Sequence, residues 1–235
     1  MSNEISRLTL HHFPATRSVR ARWALLETVG EGFQLRRVEL YDREQYGAEF
    51  LALNPNHNVP VLEIEWADGT HQTMLESAAM VEWLADRFPE KGLVPPVSDG
   101  RARADYLQML HFGGTWMDMM LWQVRVHEHI LSDDEKDERT IRRYREKFTL
   151  EAEPQLLARL DRHEYICGDS FTAADIVVGH SVFWAQGYGM CQDERFTAYR
   201  GRLMQREGAQ KALDDLHTFQ IAPNRDSGLE QEFSG

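Results

Sequence analysis

The segment Leu8-Thr9-Leu10-His11-His12-Phe13 alternates apolar with polar side chains, the two-residue period of a short half-buried strand. From Ser18 to Val29 the period changes: Val19, Trp23 and Leu26, with Ala24 and Leu25, recur at helical spacing, and Gly30 supplies a stop. Phe33, Leu35, Val38 and Leu40 alternate again, so the order strand, helix, strand predicts two parallel strands joined by a helical crossover. A polar stretch with a short helix near Glu44 to Leu51 follows. Val59 to Trp66 and Gln72 to Leu75 then flank Asp68-Gly69, a hairpin turn signal because these residues accept positive φ. A helix from Glu76 to Phe88 stops at Pro89. Beyond Gly100 no alternating pattern remains. Arg101 to Ile130 predicts a long helix bending at Gly113-Gly114, Asp134 to Arg162 a further helix bending at Pro154, and Ala173 to Trp184 and Arg202 to Phe219 two more.

The pattern defines an α+β chain. An N-terminal thioredoxin-like domain with a mixed sheet is expected over residues 1–88, and a Pro- and Gly-rich linker over 89–100. An all-helical domain over 101–220 and a loose polar tail over 221–235 complete it. A length of 235 residues with 42% hydrophobic content supports this much core. The net charge of −12 opposes binding to nucleic acid or an anionic membrane surface. The N-terminal residues lack a basic start followed by an apolar run, and no apolar stretch is long enough to span a bilayer. Cys167 and Cys191 are the two cysteines, too few for a disulfide scaffold and too far apart for a redox pair, which predicts a cytoplasmic protein. No metal site is expected, because His11-His12 on a strand and His127-Glu128-His129 on a helix point to different faces.

The most informative chemistry lies in Asn54-Pro55-Asn56-His57-Asn58-Val59-Pro60 and Leu75-Glu76-Ser77-Ala78-Ala79. A proline entering a β-rich run cannot donate to a ladder, and its setting suits a cis bond that turns the Val59 backbone outward toward an extended ligand. Glu76-Ser77 opens a helix whose free N–H groups favour an anion. Together they predict a site for a small acidic peptide.

These two segments, with Phe171-Thr172-Ala173-Ala174-Asp175-Ile176, resemble the motifs of the cytosolic glutathione transferases at family-like spacing across the chain to about residue 220. The last of them also carries a local signal, a capping box in which Thr172 and Asp175 start a helix. Thr16-Arg17-Ser18-Val19-Arg20-Ala21-Arg22-Trp23 is similar to the first-helix pattern of bacterial and fungal members that use a hydroxyl there. It departs at Thr16, where that pattern has Ser, and at Asn58, where many members have Lys or Gln.

The resemblance implies glutathione as co-substrate, a small hydrophobic electrophile as second substrate, and a homodimer. It also implies a role in detoxification, by conjugation or by glutathione-dependent reduction or thiolysis. A thiol must be deprotonated to attack, and a hydroxyl at a helix N-terminus lowers its pKa by stabilising the anion. Thr16 and then Ser18 are the candidate donors, with Arg17 beside them; both hydroxyls are also ordinary helix-capping residues. Glu76 and Ser77 would hold the γ-glutamyl end, Val59 and Pro60 the cysteinyl backbone, and Asn58 the glycine carboxylate. Phe13, Trp116, Met117 and Met120 are the candidates for lining the acceptor pocket, with Trp116 and Met120 placed on one helical face. Arg20 and Arg22 are expected on a solvated face. The competing reading is a non-catalytic binding or regulatory protein on the same scaffold.

Overall fold

A computed structural model describes residues 4–219; the predicted tail over 221–235 lies outside the described residues. Strands β1 (Ile5–His12), β2 (Gln34–Arg37), β3 (Val61–Trp66) and β4 (His71–Met74) form one sheet in the order β2-β1-β3-β4. β1 runs parallel to β2 and antiparallel to β3, and β3 is antiparallel to β4, the mixed arrangement expected of a thioredoxin-like unit. Register places Leu10 opposite Leu35 on one side and Leu62 on the other, with Leu62 opposite Met74. β2 is exposed along its length, as an edge strand is. The hairpin forms at Asp68-Gly69, where Gly69 has φ +80° and the Asp68 carboxylate accepts from the Thr70 N–H.

Helix α1 (Ser18–Thr28) lies between this sheet and the helices that follow. It touches β1, α3 (Ser77–Arg87) and α8 (Ala173–Gly187), together with α10 (Glu207–Ala212). Being covered on several sides, it buries not only Val19, Trp23 and Leu25 but also Ser18, Arg20 and Arg22. The expectation that both arginines face solvent is therefore corrected: Arg20 is 1% exposed and Arg22 9%. Helical periodicity shows which residues share a face but not how many faces are covered.

The short helix α2 (Ala48–Leu53) precedes the Asn54 turn. Among the described residues no strand follows β4; α4 (Gly100–His111), α5 (Asp118–Arg125), α6 (Glu138–Lys147), α7 (Glu153–Leu160), α8, α9 (Glu194–Leu203) and α10 make up the rest. α8 is buried from Ala173 through Val182 and forms the centre of the helical part. Its start carries the expected capping box: the Thr172 N–H donates to Asp175 Oδ2 at 2.8 Å. The Ile166 N–H and Tyr199 hydroxyl donate to the other oxygen at 2.9 and 2.7 Å. The Leu93 carbonyl accepts from Ala173 N at 2.7 Å, tying the connecting segment to the same helix start.

The predicted bend at Gly113-Gly114 is a π-helical turn over Phe112–Met117 between α4 and α5. A Cβ at Gly114 would sit 2.9 Å from the Ala78 Cβ, and one at Gly113 would sit 3.0 Å from Val178 Cγ2, so both glycines permit close approach to α3 and α8. Pro154 lies in the first turn of α7, just after another π-helical stretch over Phe148–Ala152, where its missing N–H costs no helical bond.

Candidate active site

Two local structures shape the site. The first is the turn leading to β3. Buried Asn54 clamps it, its Nδ2 donating to the Asn58 carbonyl at 2.8 Å and to Asn58 Oδ1 at 3.0 Å, while its Oδ1 accepts from Asn56 N at 2.9 Å. Asn58 itself is exposed, and its own Nδ2 is directed to neither of these bonds. The Val59-Pro60 bond is cis, as its setting predicted. Neither the N–H nor the C=O of Val59 has a partner among the described residues. The second structure is the start of α3, where Glu76 has φ +69° and ψ +107°. A positive φ at a non-glycine residue is uncommon and costs of order 1–3 kcal/mol, the kind of backbone found at ligand clamps. The Glu76 carboxylate is exposed and forms no ion pair among the described residues. Ser77 beside it is 6% exposed and accepts from Arg20 Nη1 at 3.4 Å.

These structures meet in a cleft of about 240 Å³ with the N-terminus of α1 and the π-helical turn. Arg17, Asn58, Val59, Pro60, Glu76 and Ser77 all line it, beside Gly114 and Asp118. A larger depression of about 580 Å³ lies elsewhere, near α10, and its charges satisfy one another: Arg206 pairs with Glu27, and Lys211 with Glu31 and Glu207.

Under the cleft lies a polar network that sequence reasoning missed. The Asp118 carboxylate accepts from Arg17 Nε at 2.8 and 2.9 Å and pairs with Arg17 Nη2 at 2.6 Å and Arg20 Nη1 at 2.8 Å. Burial pushes this carboxyl toward its neutral form, but the Arg20 charge and the Arg17 bonds outweigh that and hold its pKa below the usual value. Arg20, in turn, donates to His180 Nδ1 at 3.1 Å and to Ser181 Oγ at 2.9 Å. An accepting Nδ1 makes Nε2 the protonated nitrogen, which donates to the Thr16 carbonyl at 3.2 Å. Burial first, and then the Arg20 charge, drive the His180 pKa well down, so the ring is neutral. The one available signal was a lone acid, Asp118, inside the apolar run Trp116-Met117-Asp118-Met119-Met120.

The two candidate hydroxyls adjoin. Thr16 Oγ1 is 2.7 Å from Ser18 Oγ and donates to the Phe13 carbonyl at 2.7 Å. Thr16 is half-buried, whereas Ser18 is fully buried and bonds His12 Nδ1 at 2.8 Å, whose Nε2 meets Asp215 Oδ2 at 2.9 Å. Ser18 as a direct donor to a ligand is thus corrected: its hydroxyl supports Thr16 from within. The Asp215 carboxyl, which burial would raise, is held low by the His12 hydrogen bond and the nearby Arg22 charge.

The acceptor-pocket expectations also change. Met117 and Met120 are 0% exposed, and Phe13 is 2% exposed, so all three belong to the core. Trp116 is 39% exposed and lies under Lys147 Nζ at 4.7 Å. Among the described residues no group of three or more His, Cys, Asp or Glu is placed to hold a metal ion. No helix among them is long and apolar enough to cross a membrane.

A thioredoxin-like unit with a cis-proline turn and a Glu-Ser helix start, followed by helices around a capping-box helix, is the arrangement that the resemblance to the glutathione transferases implies. Residues 16–87 match the model of the glutathione S-transferase N-terminal domain. The chain is 27% identical over 213 residues to the glutathione S-transferase GstA of Escherichia coli O157:H7, covering 88% of this chain and 97% of that one. A segment of 78 residues is 35% identical to maleylpyruvate isomerase of a Ralstonia species, a match spanning 33% of this chain and 34% of the relative. Among solved structures, a glutathione transferase of Burkholderia graminis with two glutathione molecules bound per subunit superposes with a TM-score of 0.77. It shares 24% identity over 88% of each chain, a likeness of fold. The chain is thus similar to the glutathione S-transferase N-terminal domain over residues 16–87 and to GstA over most of its length.

Proposed function

We propose that this protein is a glutathione transferase, binding glutathione along the cleft and activating its thiol for attack on a small hydrophobic electrophile. The observation that carries the reading is the convergence of outward backbone at Val59, an exposed Glu76 carboxylate and the α3 N-terminus in one cleft. Glu76 pairs with the γ-glutamyl ammonium, and Ser77 with the helix N-terminus takes the adjoining carboxylate. Val59 pairs with the cysteinyl backbone in strand-addition style. Asn58 Nδ2 reaches the glycine carboxylate.

In this reading the sulfur lies by the Thr16 turn, which adjoins the cleft through its lining residue Arg17, and the Thr16 hydroxyl leaves the Phe13 carbonyl to donate to the thiolate. The α1 N-terminus and the Arg17 charge favour the same anion. The sulfur then forms a bond to the electrophilic atom of the acceptor. Conjugation, reduction and thiolysis all begin from this thiolate.

The reading includes two units, a thioredoxin-like domain over 1–88 and a helical domain over 101–220 joined by 89–100. Family likeness supports a homodimer with a detoxifying role. The unpaired Cys167 and Cys191 suit a reducing cytoplasm. The test combines calorimetric binding of glutathione with turnover of 1-chloro-2,4-dinitrobenzene. Binding with turnover above the uncatalysed rate supports the proposal; binding without turnover of this or other electrophiles identifies a non-catalytic binder instead.

A further inference from the structure

Arg125, the last residue of α5, stands apart from the other arginines around the α1 N-terminus. Arg17 and Arg20 share Asp118, Arg22 meets Asp214 and Asp215, and Arg145 meets Glu128. Arg125 has no carboxylate partner among the described residues, in a chain with 38 acidic side chains. Its Nη1 donates to the Ala15 carbonyl at a long 3.5 Å, and its Cζ lies 5.4 Å from the Phe219 ring centroid. Burial, and then repulsion from Arg17, lower its pKa, against the opposite pull of the Tyr188 and Tyr41 phenols. An arginine remains charged regardless, so a partly desolvated guanidinium lacks a counter-charge one residue from Thr16.

The surroundings are aromatic. Tyr41 and Phe219 lie 6.3 Å apart, and Trp122, 37% exposed, carries the Arg17 guanidinium on its face at 4.6 Å. One unpaired guanidinium matches one planar carboxylate, which accepts two parallel N–H bonds from it. Resting on the glutathione-transferase reading, we propose that Arg125 recognises a carboxylate on the acceptor, so that the second substrate is an aromatic electrophile bearing an acid group. The glutathione thiolate attacks the activated ring carbon, the C–S bond forms with the sulfur lone pair, and the leaving group departs with the electrons of its bond. No oxidant or reductant is required.

The test uses 4-chloro-3,5-dinitrobenzoate and its methyl ester, both losing chloride to the thiolate. For each, kcat/KM is divided by the uncatalysed rate constant, which removes their difference in intrinsic reactivity. Wild type is expected to favour the acid by about tenfold or more, the scale of a charge-assisted pair. Arg125→Gln brings that ratio toward one, and Arg125→Lys keeps most of it. Because the ratio is taken within each variant, a general loss of folded enzyme cancels. A wild-type ratio near one, or a ratio that survives Arg125→Gln, overturns the proposal. Calorimetry of the unreactive 3,5-dinitrobenzoate and its methyl ester on the wild-type glutathione complex gives a second readout, and equal affinities also overturn it. If glutathione binds and neither chloride compound reacts, the transferase reading fails while calorimetry still decides the role of Arg125.

Discussion

Replacing Asp118 by Asn removes one charge from the centre of the cleft floor while keeping the side-chain volume. In the native protein this carboxylate is 10% exposed and answers two guanidinium groups, of which Arg20 is 1% exposed. Removing one partner of a buried pair leaves a desolvated charge, which costs about 3–5 kcal/mol. An amide retains one acceptor oxygen, so the lower end, about 3 kcal/mol, is expected. For a chain of this size each kcal/mol moves the melting temperature by roughly 2–4 °C, giving a fall of about 6–12 °C.

Differential scanning calorimetry at neutral pH measures this directly, and pH adds a second check. The folded-state pKa of Asp118 is depressed. Its stabilisation is therefore complete above the ordinary carboxylate pKa and disappears as pH falls through the folded value. The gap between wild type and Asp118→Asn should narrow on acidification below about pH 4. The double variant Arg20→Met, Asp118→Leu should recover most of the lost stability, since an apolar replacement of the buried pair leaves only the partly exposed Arg17 without its partner. A melting temperature within about 1 °C of wild type for Asp118→Asn would refute the reasoning, because no desolvated charge would then have been exposed by the change.

Glu76→Gln keeps the size of the side chain but removes the charge facing the ligand ammonium. Glutathione affinity should fall about 10- to 100-fold by calorimetry, the worth of a hydrogen bond to a charged group; unchanged affinity would remove Glu76 from the site. Gly114→Ala places a Cβ 2.9 Å from the Ala78 Cβ, which has no rotamer to yield. Urea unfolding should show a loss of about 1–3 kcal/mol, and a variant as stable as wild type would contradict the tight approach of the π-helical turn to α3.

What the sequence revealed and what it concealed divide along the range of the interactions. The Asp68-Gly69 hairpin, the Thr172 and Asp175 capping box, and the Val59-Pro60 turn are written in residues a few positions apart, and each forms as the local pattern predicts. The Asp118, Arg20 and His180 network joins residues separated by about a hundred positions or more, and nothing local to Arg20 distinguishes a buried guanidinium from a solvated one. Trp116 and Met120 fail as a pair for a different reason: helical spacing relates the two side chains without saying which of them neighbouring helices cover, and Met120 is fully buried while Trp116 is 39% exposed. The order of the hydroxyls shows the same limit. The sequence ranks Thr16 before Ser18 without saying how deeply either lies, and only packing against His12 separates a half-buried side chain from a fully buried one.

The central claim is that Thr16 stabilises a glutathione thiolate in this cleft. Titrating the ultraviolet absorbance of bound thiolate against pH measures it most directly, in wild type, Thr16→Ser and Thr16→Ala. A free thiol titrates near pH 8.5, and the bound thiol should titrate at least about 1 unit lower in wild type and in Thr16→Ser. In Thr16→Ala it should return most of the way toward the free value. A bound thiol that titrates like free glutathione in wild type, or one equally shifted in Thr16→Ala, would contradict the account.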